Sequence, residues 1–312
     1  MAFETIIAGS VITLRDSEAN ASAKIFAFGA VLNAFTAMHK GIQINVIDGF
    51  SSLAEATETI TILFKSAKLS PFACRVKNSK YKFGEDIYQL SKYSLRGNAI
   101  HGLLFNVVYS VTECSSDEHG ALVRLGYEYD NDSEGYPFRY KCEVEYRLGS
   151  GNTLSVTTTV TNLDDQLMPV TDGWHPYFTL GDSINDYQLE FQSKEMLEFD
   201  EDVIPTGKFT PYQEFGSLKD FGPTLFDNCF SLNFAECQPM CVVRNPIRNI
   251  QLEIYPEKSY PYLQIYTPDH RKSIAIENLS GAPDAFNNGI GLLVLSPGEA
   301  AVFSTKFIIR SL

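Results

Sequence analysis

Apolar and polar residues alternate with a period of two along much of this chain. Such a pattern fits half-buried strands and fits an amphipathic helix poorly. In residues 139–161, Tyr140, Cys142, Val144, Tyr146 and Leu148 fall on one face, with Lys141, Glu143, Glu145 and Arg147 opposite. Leu154, Val156, Thr158 and Val160 resume the pattern after Gly149-Ser150-Gly151-Asn152, so the segment reads as a hairpin. Val123, Leu125, Tyr127 and Tyr129 form another such face. Further strands are expected near 5–14, 24–32, 104–113, 187–193, 251–256, 262–267 and 301–309, separated by Gly, Pro, Asn or Asp. One helix is expected over 52–64, SLAEATETITILF, against the preference of its β-branched residues. The expected fold is all-β: a large antiparallel β-sandwich or a closed multi-sheet arrangement.

No linker, low-complexity segment or internal repeat divides the 312 residues, and sandwiches of this length occur as one unit, so 1–312 reads as a single domain. With 25 Lys plus Arg against 38 Asp plus Glu, the net charge is −13, which repels phosphate backbones and disfavours nucleic acid as a partner. A neutral sugar would be tolerated. The six cysteines contain no Cys-x-x-Cys pair, and the closest two, Cys237 and Cys241, have no histidine nearby to complete a zinc site. All six read as reduced thiols. The N-terminus MAFETIIAGSVITL lacks a basic start and a long apolar stretch, and no run approaches the roughly 20 apolar residues a membrane crossing needs. The cytoplasm is the expected compartment, with no membrane partner.

Of the five histidines, two stand in unusual company. His101 precedes Gly102, which would let backbone or ligand approach closely. His175 precedes Pro176, which withholds a ladder donor and biases His175 toward extended geometry at a strand end. In an extended segment Trp174 then points away from the face of His175 and reads as core. His39, His119 and His270 lie in polar segments and are expected in solvent.

Glu277 ends the apolar run Ile274-Ala275-Ile276, where partial burial would raise its pKa toward the range of a general base; an outward-facing strand residue is the alternative. Arg75, in Pro71-Phe72-Ala73-Cys74-Arg75, and Asp227, in Leu225-Phe226-Asp227-Asn228-Cys229-Phe230, are charges framed by apolar groups. Either could hold sugar hydroxyls, and either could serve a salt bridge or turn. There is no glycine-rich phosphate loop, Gly-x-Ser-x-Gly elbow or His-Glu-x-x-His run.

Eight segments in order, PFACRVKNSKYKF, NAIHGLLF, GYPFRYKCEVEYRL, MPVTDGWHPYFTLG, IPTG, FDNCF, IAIENLSGAPDAFNNG and LSPGE, together resemble the aldose 1-epimerase or galactose mutarotase-like family. The resemblance implies a large antiparallel β-supersandwich with sugar bound in an open cleft. It implies His175 as general acid and Glu277 as general base, with His101, Arg75 and Asp227 binding the sugar and neither metal nor other cofactor required. The chain departs from the family in Asn278-Leu279-Ser280 after Glu277 and in Cys74 at a position often polar, which bears on the choice of sugar.

Interconversion of α and β anomers by ring opening and reclosure would then need only one acid and one base. A bell-shaped pH dependence is expected, its ascending limb from Glu277 and its descending limb from His175. The alternatives are a hexose-phosphate 1-epimerase on the same scaffold, with Arg75, Lys92 and Arg96 facing the phosphate; a non-catalytic carbohydrate-binding protein; and a purely structural sandwich.

Overall fold

Alternating strands need a second apolar layer to cover their inner face, and here two large sheets supply it for each other. The structure, a computed structural model, describes residues 2–130 and 135–312. A nine-stranded antiparallel sheet runs in the order Ser110–Ser116, Gly120–Tyr129, Tyr140–Gly149, Thr153–Asn162, Ala300–Ser311, Ile250–Pro256, Cys241–Asn245, Gln188–Phe191, Lys219–Asp220. The other large sheet, also antiparallel, runs Pro205–Pro211, Ser193–Phe199, Asp227–Leu232, Tyr262–Tyr266, Ile274–Leu279, Gly173–Trp174, Lys68–Leu69, with Tyr177–Phe178 pairing onto the same central strand Ile274–Leu279. Between the two sheets, the Phe307 ring lies 5.2 Å from Trp174 and 5.6 Å from Phe178, and the Thr305 hydroxyl donates to Asn278 Oδ1 at 2.9 Å. A five-stranded meander over Phe3–Asn45 adds a further layer, tied on where the Tyr146 hydroxyl donates to the Ala30 carbonyl at 2.7 Å. The fold is therefore all-β and antiparallel, as the alternation requires.

The 139–161 hairpin forms in full register from Tyr140 opposite Asn162 to Gly149 opposite Thr153. The helix spans Leu53–Leu63. Ser52 accepts the Glu55 N–H at 3.1 Å, and the Glu55 carboxylate accepts the Ser51 N–H at 2.6 Å, so the first turn is capped from both directions. Ala56 and Ile60 are buried, and tertiary packing outweighs the β-branched content. Trp174 is core, its indole N–H donating to the Ser66 carbonyl at 3.1 Å.

Three strand expectations are corrected. Residues 5–14 are not one strand: Gly9 and Ser10 turn Phe3–Ala8 back onto Val11–Asp16, Gly9 having φ +61°. Residues 24–32 likewise break at Gly29 and Ala30, where both φ values are positive and a Cβ on Gly29 would sit 2.4 Å from the Phe105 carbonyl oxygen. In 104–113 only a lone bridge from Val108 to Phe28 precedes the strand, which begins at Ser110. His39 is also not solvated; it is buried, with its two ring nitrogens on Ser311 Oγ (2.7 Å) and the Arg248 carbonyl (2.8 Å). His119 and His270 are exposed as expected.

Behind the central strand lies a buried ion pair. Lys68 Nζ donates to Asp172 Oδ2 at 2.5 Å and to the Gly173 carbonyl at 2.8 Å, and the Tyr260 hydroxyl donates to the same carboxylate oxygen at 2.6 Å. Burial pushes the Asp172 carboxyl up even with the Lys68 ammonium beside it. Removing one partner leaves the other buried and uncompensated. Lys68→Met is therefore expected to destabilise the protein by about 3–5 kcal/mol, and Lys68→Met/Asp172→Asn to recover most of that loss, both read from urea unfolding. Equal destabilisation of the single and double variants would contradict this account.

Candidate active site

The central strand Ile274–Leu279 is buried on both faces. Alternation sends Asn278 toward the nine-stranded sheet, where it meets Thr305, and sends Glu277 to the opposite face. Glu277 is thus neither outward-facing nor partly buried; it is fully enclosed. Register fixes its neighbours: Gln264 is opposite Glu277, and Cys229 is opposite Gln264, so the three form one row across adjacent strands. Asp227 lies two residues from Cys229 on that face, and Gln264 Nε2 donates to its Oδ1 at 2.9 Å.

On the other flank the pairing partner is interrupted. Gly173 is opposite Leu279 and Tyr177 is opposite Ala275, leaving His175 and Pro176 beside Glu277. Pro176 has no N–H to give the ladder, as its place in the sequence implied, and its carbonyl accepts the Ile276 N–H at 3.3 Å. The His175 backbone is held from behind, its N–H on the Ala67 carbonyl (3.2 Å) and its carbonyl on the Ser66 N–H (2.8 Å). The ring stacks on Tyr177 at 5.0 Å, and Nε2 comes within 3.4 Å of Glu277 Oε1. Two residues far apart in the chain meet as a buried pair.

His101 closes the third side. Its ring meets His175 edge-on at 5.0 Å and leans on Phe64 at 4.6 Å. Both His101 and Cys74 have left-handed backbone, φ 62° and 55°, and the His101 N–H donates to the Cys74 carbonyl at 2.9 Å. Such conformations cost about 1–3 kcal/mol each in non-glycine residues and concentrate at functional sites. The glycine signal is borne out in detail: a Cβ on Gly102 would stand 2.3 Å from the Ser70 carbonyl oxygen. Arg75, on the short strand Arg75–Val76 pairing Asn98–Ile100, is half-buried, and its positive charge acts on Asp227, His101 and Glu277. All five residues singled out in the sequence therefore converge.

Electrostatics here are governed by loss of water. Burial pushes the Glu277 carboxyl well above the ordinary range, and the Asp227 carboxylate raises it further while Arg75 opposes. Burial lowers the His175 imidazole to about 4 and drives His101 well below its ordinary value, with His175 and Arg75 adding to the latter. Both members of the pair thus favour their neutral forms, an imidazole and a carboxylic acid. His101 Nδ1, His175 Nδ1, Gln264 Oε1 and Glu277 Oε2 are buried without a hydrogen-bond partner. Orphaned polar atoms in one place are costly unless a ligand completes them.

The chain belongs to the aldose 1-epimerase family. The family model of that description matches residues 10–307. An aldose 1-epimerase from Streptococcus thermophilus is 24% identical over 89% of this chain and 88% of its own length. The uncharacterized protein YihR of Escherichia coli K12 is 27% identical over 74% of each chain. In fold the chain is similar to a galactose mutarotase-like protein from Clostridium acetobutylicum (TM-score 0.87, 18% identity, 99% of this chain and 98% of the other). It is also similar to galactose 1-epimerase from Lactobacillus acidophilus NCFM (TM-score 0.83, 21% identity, 99% and 98%). These similarities, with the sheets above, make this a galactose mutarotase-like supersandwich.

Gln264 was missed in the sequence, although Tyr262, Gln264 and Tyr266 share one face of an alternating strand and an amide buried there demands partners. Cys229 and Tyr177 carried no signal of their own. Two grooves, of about 730 Å³ beside Tyr255 and Lys306 and about 510 Å³ beside His39 and Arg248, include none of these residues. All six thiols are free, and only Cys114 and Cys237 are exposed, so a disulfide reagent is expected to titrate two thiols in the native protein and six after denaturation. A third fast-reacting thiol would mean that a buried cysteine reaches solvent more readily than its packing indicates.

Proposed function

We propose that this chain is an aldose 1-epimerase that interconverts the α and β anomers of a free hexose, with residues 1–312 acting as one domain. The domain reading is supported by a hydrophobic core that draws side chains from Phe3 to Ile309. The activity rests on one observation: an acid and a base 3.4 Å apart, both buried, with unfilled hydrogen-bonding positions beside them.

The two oxygens that must exchange protons in a cyclic hemiacetal, O1 and O5, share one carbon, so an acid and a base side by side can serve both. Imidazolium at His175 donates to O5 while carboxylate at Glu277 takes the O1 proton, and the C1–O5 bond breaks to give the aldehyde. Rotation about C1–C2 presents the other carbonyl face. O5 then adds to C1, its proton returns to His175, and O1 recovers its proton from Glu277, so nothing is consumed. His101, Arg75 and Asp227, the last braced by Gln264, hold hydroxyls. The His175 imidazolium/Glu277 carboxylate form differs from the neutral form only by one proton moved between partners, and Arg75 favours the ionised carboxylate. A free sugar suits the site better than a sugar phosphate, because the charge of Arg75 is shared with Asp227 and Arg96 lies exposed.

His175→Asn and Glu277→Gln are each expected to lower mutarotation of α-glucose or α-galactose by about 10²–10⁴-fold, read by polarimetry after subtracting the uncatalysed rate. Near-wild-type turnover in either folded variant sinks the assignment. Glucose 6-phosphate turned over faster than glucose would favour the phosphate reading, and tight sugar binding without anomer exchange the non-catalytic one.

The bell in the pH profile is expected, but burial exchanges the limbs assigned from sequence. Acid inactivates when neutral His175 is protonated beside a protonated Glu277, near the low value that burial imposes; alkali inactivates when Glu277 loses its carboxyl proton beside a neutral His175, above the ordinary carboxylate range. These are values of the pair and not of either residue alone. Anomer exchange followed by NMR should keep its acid limb well below neutrality. An acid limb centred near the ordinary histidine value of about 6.5 would mean that desolvation does not control the site.

A further inference from the structure

Cys74 has no evident part in sugar chemistry, since a thiol is a weak donor and a weak acceptor for hydroxyls. Its surroundings suit a different ligand. One donor atom each from Cys74, His101 and Glu277 lie within 4.8 Å of one another, all on buried side chains. Donors on a single tetrahedral zinc ion, at about 2.0–2.3 Å from the metal, sit roughly 3–4 Å apart, so closing the set around an ion takes side-chain shifts of about 1 Å. Cys74 and His101 are tied to each other by a backbone hydrogen bond of 2.9 Å, which fixes two ligands in relative position. His101 Nδ1 and Glu277 Oε2 are buried and unpartnered. His175 Nε2, 3.4 Å from Glu277, or a water can take the fourth position.

We propose that Cys74, His101 and Glu277 form a site for a zinc-class divalent cation that overlaps the sugar site, so that metal and sugar exclude each other. Thiolate with imidazole selects borderline-soft ions over magnesium or calcium. Binding releases the Cys74 proton, and the Glu277 proton where one is present, to solvent, leaving a neutral metal–thiolate–carboxylate unit. Uptake therefore weakens as pH falls. The metal inhibits and is not needed for turnover. Metal binding stands independently of the epimerase assignment; the inhibition and the competition with sugar rest on it.

The test is titration of the reduced full chain with Co²⁺. One equivalent is expected to give a thiolate-to-cobalt charge-transfer band in the near ultraviolet, displaced by Zn²⁺ and diminished by galactose. The band should persist in Cys114→Ser/Cys237→Ser, which lacks the exposed thiols, and vanish in Cys74→Ser. His101→Asn provides a second variant, expected to weaken the band with Cys74 intact. In polarimetry, half-inhibition of Cys74→Ser should need at least about tenfold more Zn²⁺ than wild type, with EDTA restoring both. No band in wild type, or a band unchanged in Cys74→Ser and His101→Asn, overturns the metal site. A band in a protein without mutarotase activity leaves the metal site standing and removes the epimerase reading instead.

Discussion

Everything in the site follows from putting an ionisable carboxyl on a strand with both faces covered. Glu277 is shut off from water between His175 and Gln264, so its protonation is set first by that burial, then by the Asp227 carboxylate, with Arg75 opposing. Desolvation penalises the charged form of acid and base alike, which holds the pair at a single proton and makes either partner able to give what the other takes. A solvated glutamate and histidine would each settle at ordinary values, with the proton partitioned to water. Burial favours that proton on the Glu277 carboxyl, 3.4 Å from a neutral His175.

Two buried pairs flank the same segment, and their hydrogen bonding separates them. In Lys68 and Asp172 one carboxylate oxygen accepts from both Lys68 and Tyr260 and the ammonium also reaches the Gly173 carbonyl, while the other oxygen, Oδ1, is buried without a partner. That pair clamps Lys68–Leu69 to Gly173–Trp174, directly ahead of His175. In His175 and Glu277 the outer atoms, Nδ1 and Oε2, have no partner. Three hydrogen bonds hold the first pair, whereas the second meets only at 3.4 Å and leaves more capacity for a ligand.

Much of the fold and the choice of site residues was legible, for a physical reason. Period two is a direct consequence of strand geometry, so the hairpin read over 139–161 and the strands read at 251–256, 262–267 and 301–309 fall within one or two residues of those formed. The turns within 5–14 and 24–32 were carried by Gly9-Ser10 and Gly29-Ala30, whose flanking residues are apolar on both sides and mask the break. His39 misled because neighbouring Lys40 is polar, whereas its partners, Ser311 and the Arg248 carbonyl, are more than 200 positions away. The alternation around Gln264 marked an amide needing partners, but which partners depends on register with Asp227 and Glu277, which the sequence does not give.

The site is assembled where regular pairing fails. His175 enters because Pro176 splits the partner of the central strand, and His101 and Cys74 enter from left-handed backbone that no strand contains. Glu277, Gln264 and Asp227 come from uninterrupted strands and define a rigid floor. A sheet alone presents side chains in a plane at fixed spacing and cannot surround a ligand. Irregular segments alone surround without fixing distance. Joining them lets the floor hold Glu277 in place while the breaks swing His175 and His101 over it, which is how three groups from residues 101, 175 and 277 come to share one small volume.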